Sequence, residues 1–173
     1  MTTEETYNFI NTYLPVSTWP ILIFIGAAVF ALNLRMRENT ERAFLKAMLV
    51  SWFISVIFTT LVIRKPTDLI KVNLMPLWSW RDLIVNHNMI SLQEIILNII
   101  LFIPGGILLH FLYRVKPKFA FLTGFIFSAL IETLQLITHR GFFEWDDMLH
   151  NGFGCLMGAF FAMQILKIQR KDQ

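Results

Sequence analysis

The sequence predicts an all-α fold: a polytopic integral membrane helix bundle with about five transmembrane helices. Three observations predict it. Of the 173 residues, 55% are hydrophobic and only 16% charged, and the mean hydropathy is +0.57. A soluble domain seldom carries so much apolar side chain beside so little charge. The apolar residues also fall in blocks near the length of a bilayer crossing, about 20 residues. Finally, one of those blocks, Phe119 to Ile137, contains a carboxyl group, Glu132. A charge at the bilayer centre costs about 2.5 kcal/mol or more, so a membrane helix keeps one where it faces protein or water.

The first block, Trp19 to Leu34, is the shortest, and its Pro20 suits a first helical turn. The second runs from Phe44 to Ile63, with Lys46 near enough to its start to reach the surface along its own alkyl stem. The third, Leu92 to Leu112, is interrupted by Pro104-Gly105-Gly106. Proline removes a backbone donor, which predicts a kink or break there. The fourth is Phe119 to Ile137 and the fifth Met148 to Ile168. The one long connection, Arg64 to Ser91, holds Trp78 and Trp80, which suit a membrane–water boundary. With no internal repeat or flexible linker, residues 1–173 read as a single membrane domain.

Charge predicts the orientation. Arg35, Arg37, Arg42 and Lys46 flank the first connection, Arg114, Lys116 and Lys118 the third, and Lys167, Arg170 and Lys171 the C-terminal end. The opposite side holds Arg64, Lys65, Lys71, Arg81 and Arg140. Basic residues collect on the cytoplasmic side, so the N-terminus is expected outside and the C-terminus in the cytoplasm. Before Trp19 there are Glu4 and Glu5 but no Lys or Arg, so no secretory signal peptide is expected.

Several function classes are disfavoured. The net charge of +3 is not gathered into an aromatic-laced basic stripe, so nucleic acid is not an expected partner. The single Cys155 excludes an intramolecular disulfide and a cysteine zinc site. His87, His110, His139 and His150 lack metal-ligand spacing. No zinc-protease helix, nucleophile elbow or phosphate loop is present, and no metal or cofactor is expected.

The topology gathers the remaining polar residues at one membrane face. Ser128, Glu132 and Gln135 share one helical face near the outer end of the fourth span. Asp147, Asn151, Gly154 and Gly158 share a face of the fifth, beside Asp146. Asn98 lies in the outer half of the third, and Arg140 in the short connection before the fifth. An arginine there suits an anionic head group or the neighbouring carboxylates. Each residue also has a structural reading. Asn98 and Asn151 suit interhelical hydrogen bonds, and Gly154 and Gly158 close helix packing. Asp146 or Asp147 suits a helix N-cap. His150 and Cys155 read as structural, and His110 lies far from the cluster. Glu132 is the residue whose burial most needs a functional reason.

Four stretches then form a pattern. They are Asn73-Leu74-Met75-Pro76-Leu77, Asn98 through Pro104-Gly105-Gly106, Ser128 through Glu132 to Gln135, and Phe143 through Asp146, Asp147 and Asn151 to Gly154, followed by Gly158. Together they resemble the VanZ-like family of small bacterial membrane proteins, in the family's order, over a core at residues 73–158. Leu77 stands where the family usually has an aromatic residue, and Gly105 where a bulkier one is common. The spacing from Arg140 to the aspartates is about one residue longer than in the family pattern. The family is named for a member associated with resistance to teicoplanin, a glycopeptide that binds cell-wall precursors outside the membrane. The resemblance therefore implies a multi-pass protein of the bacterial cytoplasmic membrane with a cell-envelope role.

Two function classes follow. The first is an extracytoplasmic polar pocket that engages an anionic lipid, a lipid-linked wall precursor or a glycopeptide. In it Arg140 binds the anion, Asn98, Gln135 and Asn151 position it, and Glu132, Asp146 and Asp147 tune the charge. The alternative is an intramembrane enzyme acting on a lipid-linked envelope substrate by carboxylate acid–base catalysis. A partner-docking subunit using the glycine face of the fifth span is a third reading, and a transporter is disfavoured by the lack of a repeat pair. Membrane lipids are the expected partners; the oligomeric state is open.

Overall fold

The computed structural model describes residues 39–67 and 72–171, apart from the side chain of Arg170. The expected first span, Trp19 to Leu34, lies outside the described residues, as do Arg35, Arg37 and Lys71. Two compact units make up the chain, Met1–Pro66 and Thr67–Gln173. Four described helices are long and apolar enough to cross a membrane. The fold is an all-α membrane bundle.

In the first unit, α1 spans Thr40–Ile57. Asn39 caps it, its Oδ1 accepting from the Glu41 N–H at 2.8 Å. The helix continues as a π-helical turn over Phe58–Val62, closed by the Ile63 N–H donating to the Phe58 carbonyl. Hydroxyls crowd this stretch: Ser55, Thr59 and Thr60 donate back to the carbonyls of Ser51, Ser55 and Val56. Such back-bonding competes for helix carbonyls and accompanies local distortion.

In the second unit the long connection is structured. Val72–Asn73 (β1) pairs in parallel with Phe143–Glu144 (β2), Val72 opposite Phe143 and Asn73 opposite Glu144. A short helix, α2, follows at Trp78–Asn86. Then come three long helices: α3 over Met89–Tyr113, α4 over Pro117–Ile137 and α5 over Trp145–Lys171. Asn88 caps α3, its Oδ1 accepting from the Ile90 N–H. Pro117 takes the first position of α4 behind an extended Lys116, the conformation a residue before proline prefers.

Of the kink or break expected at Pro104-Gly105-Gly106, the break is absent: α3 is continuous through Pro104. Within an apolar bundle the freed backbone groups have no other partners, which favours keeping the helix whole. The neighbouring glycine then serves packing. A Cβ at Gly106 would run into the Cys155 carbonyl oxygen; one at Gly154 would meet that of Ile99, and one at Gly158 that of Ile103. The pairs Asn98–Asp147, Ile99–Gly154 and Ile103–Gly158 advance together along both helices, so α3 and α5 run parallel in close backbone contact. Gly105 is buried beside Gly106. α4 runs antiparallel to α5, with Gly124 against Cys155 and the Gly152 backbone against the Phe121 ring.

α5 packs against both α3 and α4, which touch each other less. Ile95, Phe102, Ile131, Met148 and Ala159 lie in the core. Ile100, Ile126, Leu130 and Phe161 are exposed, whereas Ser128, Gln135 and Asp146 are among the most deeply buried side chains. Apolar outside and polar inside is the arrangement a bilayer selects.

Candidate functional site

The polar residues meet where α3 and α5 begin and α4 ends. Glu132, on the last turns of α4, is 3% exposed. Its Oε2 accepts the backbone N–H of Glu144 at 2.9 Å. Glu144 immediately precedes α5, so this carboxylate sits at the helix's positive end, where the unsatisfied N–H groups favour an anion.

Asp147, in the first turn of α5, accepts from Asn98 Nδ2 of α3 at 2.7 Å. One turn further along α5, Asn151 Nδ2 donates to Ser128 Oγ of α4 at 2.7 Å. Two adjacent turns of α5 are thereby tied to different neighbours. Asn151 is buried, and its Oδ1 has no hydrogen-bond partner among the described residues. A buried amide acceptor left without a partner is rare and marks a place that a donor, water or ligand, would fill. Gln135 is 2% exposed on the same face of α4 as Ser128 and Glu132.

Asp146 is fully buried but turns elsewhere. Its Oδ1 accepts the Leu77 N–H, and its Oδ2 the Ser79 N–H at 2.8 Å. These donors open α2, so Asp146 is an N-cap supplied from another helix. Of the two aspartates expected at the polar site, one is therefore committed to holding α2. Arg140 is half-buried in the turn between α4 and β2, its N–H donating to the Gln135 carbonyl. The preceding His139 has positive φ, and its carbonyl accepts from the Thr67 N–H at 2.7 Å.

Sequence reasoning missed two groups. His150, 3% exposed, accepts the indole N–H of Trp80 at its Nε2, 3.1 Å away, which requires a neutral ring protonated on Nδ1. Only the fold brings Trp80 to His150. Asp82, in α2, accepts from Asn86 Nδ2, Asn88 Nδ2 and Ser91 Oγ, each at 2.7 Å. Those three bonds hold the Asp82 carboxyl below its usual range, Asn86 contributing most, then Ser91 and Asn88. Here a signal existed: Asp82 and Asn86 are spaced i, i+4, followed by two more polar groups at a helix start.

Among the described residues no group of histidine, cysteine, aspartate or glutamate has the arrangement of a metal site. The geometry is that of a polar, acid-rich helix end with one nearby arginine. It can hold a polar group in fixed register, and Asn151 Oδ1 is a buried acceptor with no hydrogen-bond partner among the described residues.

No match to the chain was found among curated proteins or among solved structures. A family model described as VanZ/LLP1 matches residues 43–167, which takes in most of α1, all of α2, the crossing glycines, and Asn98, Glu132, Gln135, Arg140, Asp146, Asp147 and Asn151. With most of its length matched in one stretch and its polar cluster inside that stretch, the chain belongs to the VanZ/LLP1 family.

Proposed function

We infer that this multi-pass membrane protein acts in the bacterial cell envelope by binding, through the polar end of its bundle, an anionic lipid head group, a lipid-linked wall precursor or a glycopeptide such as teicoplanin. The N-terminus outside and the C-terminus in the cytoplasm belong to this reading, because they place the polar end on the extracytoplasmic face. Arg140 supplies the cation, Asn98, Gln135 and Asn151 the positioning amides, and Glu132 and Asp147 the fixed charge.

The observation that carries the reading is a membrane bundle that keeps Glu132, Gln135 and Asn151 buried at one end, with Asn151 Oδ1 lacking a donor among the described residues. Binding is favoured over catalysis by Asp146, whose two oxygens both receive backbone N–H groups. A general acid–base pair needs oxygens open to substrate.

Purified protein incubated with labelled envelope lipids tests this. Saturable binding without turnover, weakened by Arg140→Ala, is expected; turnover would support the lipid-active enzyme instead. In cells, deleting the gene is expected to raise teicoplanin susceptibility, and Glu132→Gln to do the same at normal protein level. Unchanged susceptibility in both would remove glycopeptide from the ligand classes.

A further inference from the structure

We propose that α2 lies in the plane of the membrane, its outer side seated at the boundary between lipid head groups and acyl chains of the chain's own bilayer.

Both ends of α2 are tied to the starts of spanning helices. At its N-terminus, Asp146 of the first turn of α5 accepts from Leu77 and Ser79. From mid-helix, Asp82 accepts from Asn88 and Ser91, the cap and first turn of α3, which follows the end of α2 after only His87 and Asn88. α3 and α5 run parallel, so their starts lie at the same end of the bundle. A helix that joins those two points crosses the bundle axis. Its nine residues span about 13 Å, comparable with the ~8–10 Å between packed helix axes. α3 is 25 residues long, about 37 Å against a ~30 Å hydrocarbon core, and the polar cluster of Asp82, Asn88 and Ser91 at its start belongs outside that core. α2 therefore sits at head-group depth.

The faces of α2 are reversed relative to a helix that meets water. Its inner side carries Ser79 and Asp82, with Trp80 reaching His150 through its indole N–H. Its outer side is apolar apart from Arg81 and Asn86: Ile84 is 67% exposed and Val85 63%, and Leu77, just before the helix, is 56% exposed. Met89 and Ile90, each 60% exposed, continue that surface onto α3, where Ile96 and Ile100 are also exposed. The outer side of α2 is thus an extension of the lipid-facing surface of a spanning helix. Exposed Arg81 has an alkyl stem long enough to carry its charge to the phosphates, as interfacial basic residues do.

The test uses the full chain in phosphatidylcholine–phosphatidylglycerol vesicles. Cys155 is the chain's one cysteine and is buried, so the unaltered protein is the labelling blank. Ile84→Cys and Val85→Cys, both at exposed sites, are labelled with nitrobenzoxadiazole. Ile100→Cys serves as the deep control and His139→Cys as the aqueous one. At both α2 positions, lipids spin-labelled near the head group are expected to quench at least about twofold more than lipids labelled near the chain end, with shielding from aqueous iodide. Iodide quenching equal to that at position 139 would overturn the proposal. So would shielding from both quenchers, which would mean that a second copy or the N-terminal segment covers α2.

Discussion

Asp146 accepts the backbone N–H of Ser79 at 2.8 Å across 67 residues of sequence, so a carboxylate on a spanning helix caps a helix in a surface connection. With the matching bond from Leu77, a residue that reads as part of a polar binding site becomes the clamp between α5 and α2.

Removing that clamp has a graded outcome. Asp146→Ala leaves two backbone donors without their acceptor and is expected to destabilise the second unit by about 2 kcal/mol or more. Asp146→Asn retains one acceptor and loses about half as much. Thermal unfolding in detergent reads the total, and limited proteolysis within 78–86 reads the local release of α2. Equal stability of both variants and the unaltered protein would show that the cap contributes nothing.

The crossing glycines differ in what lies beyond them. Gly158→Ala drives a methyl group into the Ile103 carbonyl of a spanning helix, and backbone there has nowhere to move. The α3–α5 crossing must widen, with an expected loss of about 3 kcal/mol or more and low folded yield. Gly152→Ala meets only the edge of the Phe121 ring, which can swing aside, so about 1 kcal/mol is expected. Size-exclusion profiles and unfolding midpoints of the two variants should rank in that order.

The amide–carboxylate bond from Asn98 to Asp147 is a direct α3–α5 tie at the polar end. A double-mutant cycle with Asn98→Ala and Asp147→Ala should give a coupling energy of about 1 kcal/mol, the usual scale for interhelical polar pairs in membranes. Strict additivity of the two losses would mean that the bond carries no stability.

Asp82 gives the connection a pH dependence. Its folded pKa is held below the ordinary 3.8 by Asn86, Ser91 and Asn88. A lowered carboxylate contributes stability that is fully present above pH 3.8 and is lost as the pH falls through the lowered value. The unaltered protein should therefore lose stability on acidification below 3.8 more steeply than Asp82→Asn. Parallel acid unfolding curves for the two proteins would contradict this.

Much of the bundle was legible in the residue order because membrane helices announce themselves by length and hydropathy. The second to fifth blocks correspond to Thr40–Val62, Met89–Tyr113, Pro117–Ile137 and Trp145–Gln169. Helical spacing placed Ser128, Glu132 and Gln135 on one face, and all three are buried. At Pro104 the helix is unbroken, because a proline's local penalty says nothing of the packed neighbours that keep the helix whole. α2 and the β1–β2 ladder were not foreseen: each is short, and its partners lie far along the chain.

By itself the sequence determined the second to fifth spans, the shared face of Ser128, Glu132 and Gln135, and the small residues at which helices approach. Those follow from local periodicity and the hydrocarbon thickness, which act within one segment at a time. Tertiary structure alone decided which donor each buried acceptor meets: Asp146 with α2, Asp147 with Asn98, Glu132 with the start of α5 and His150 with Trp80. A carboxylate has the same appetite for any N–H within reach, and reach is set by how helices pack, not by where they lie in the chain.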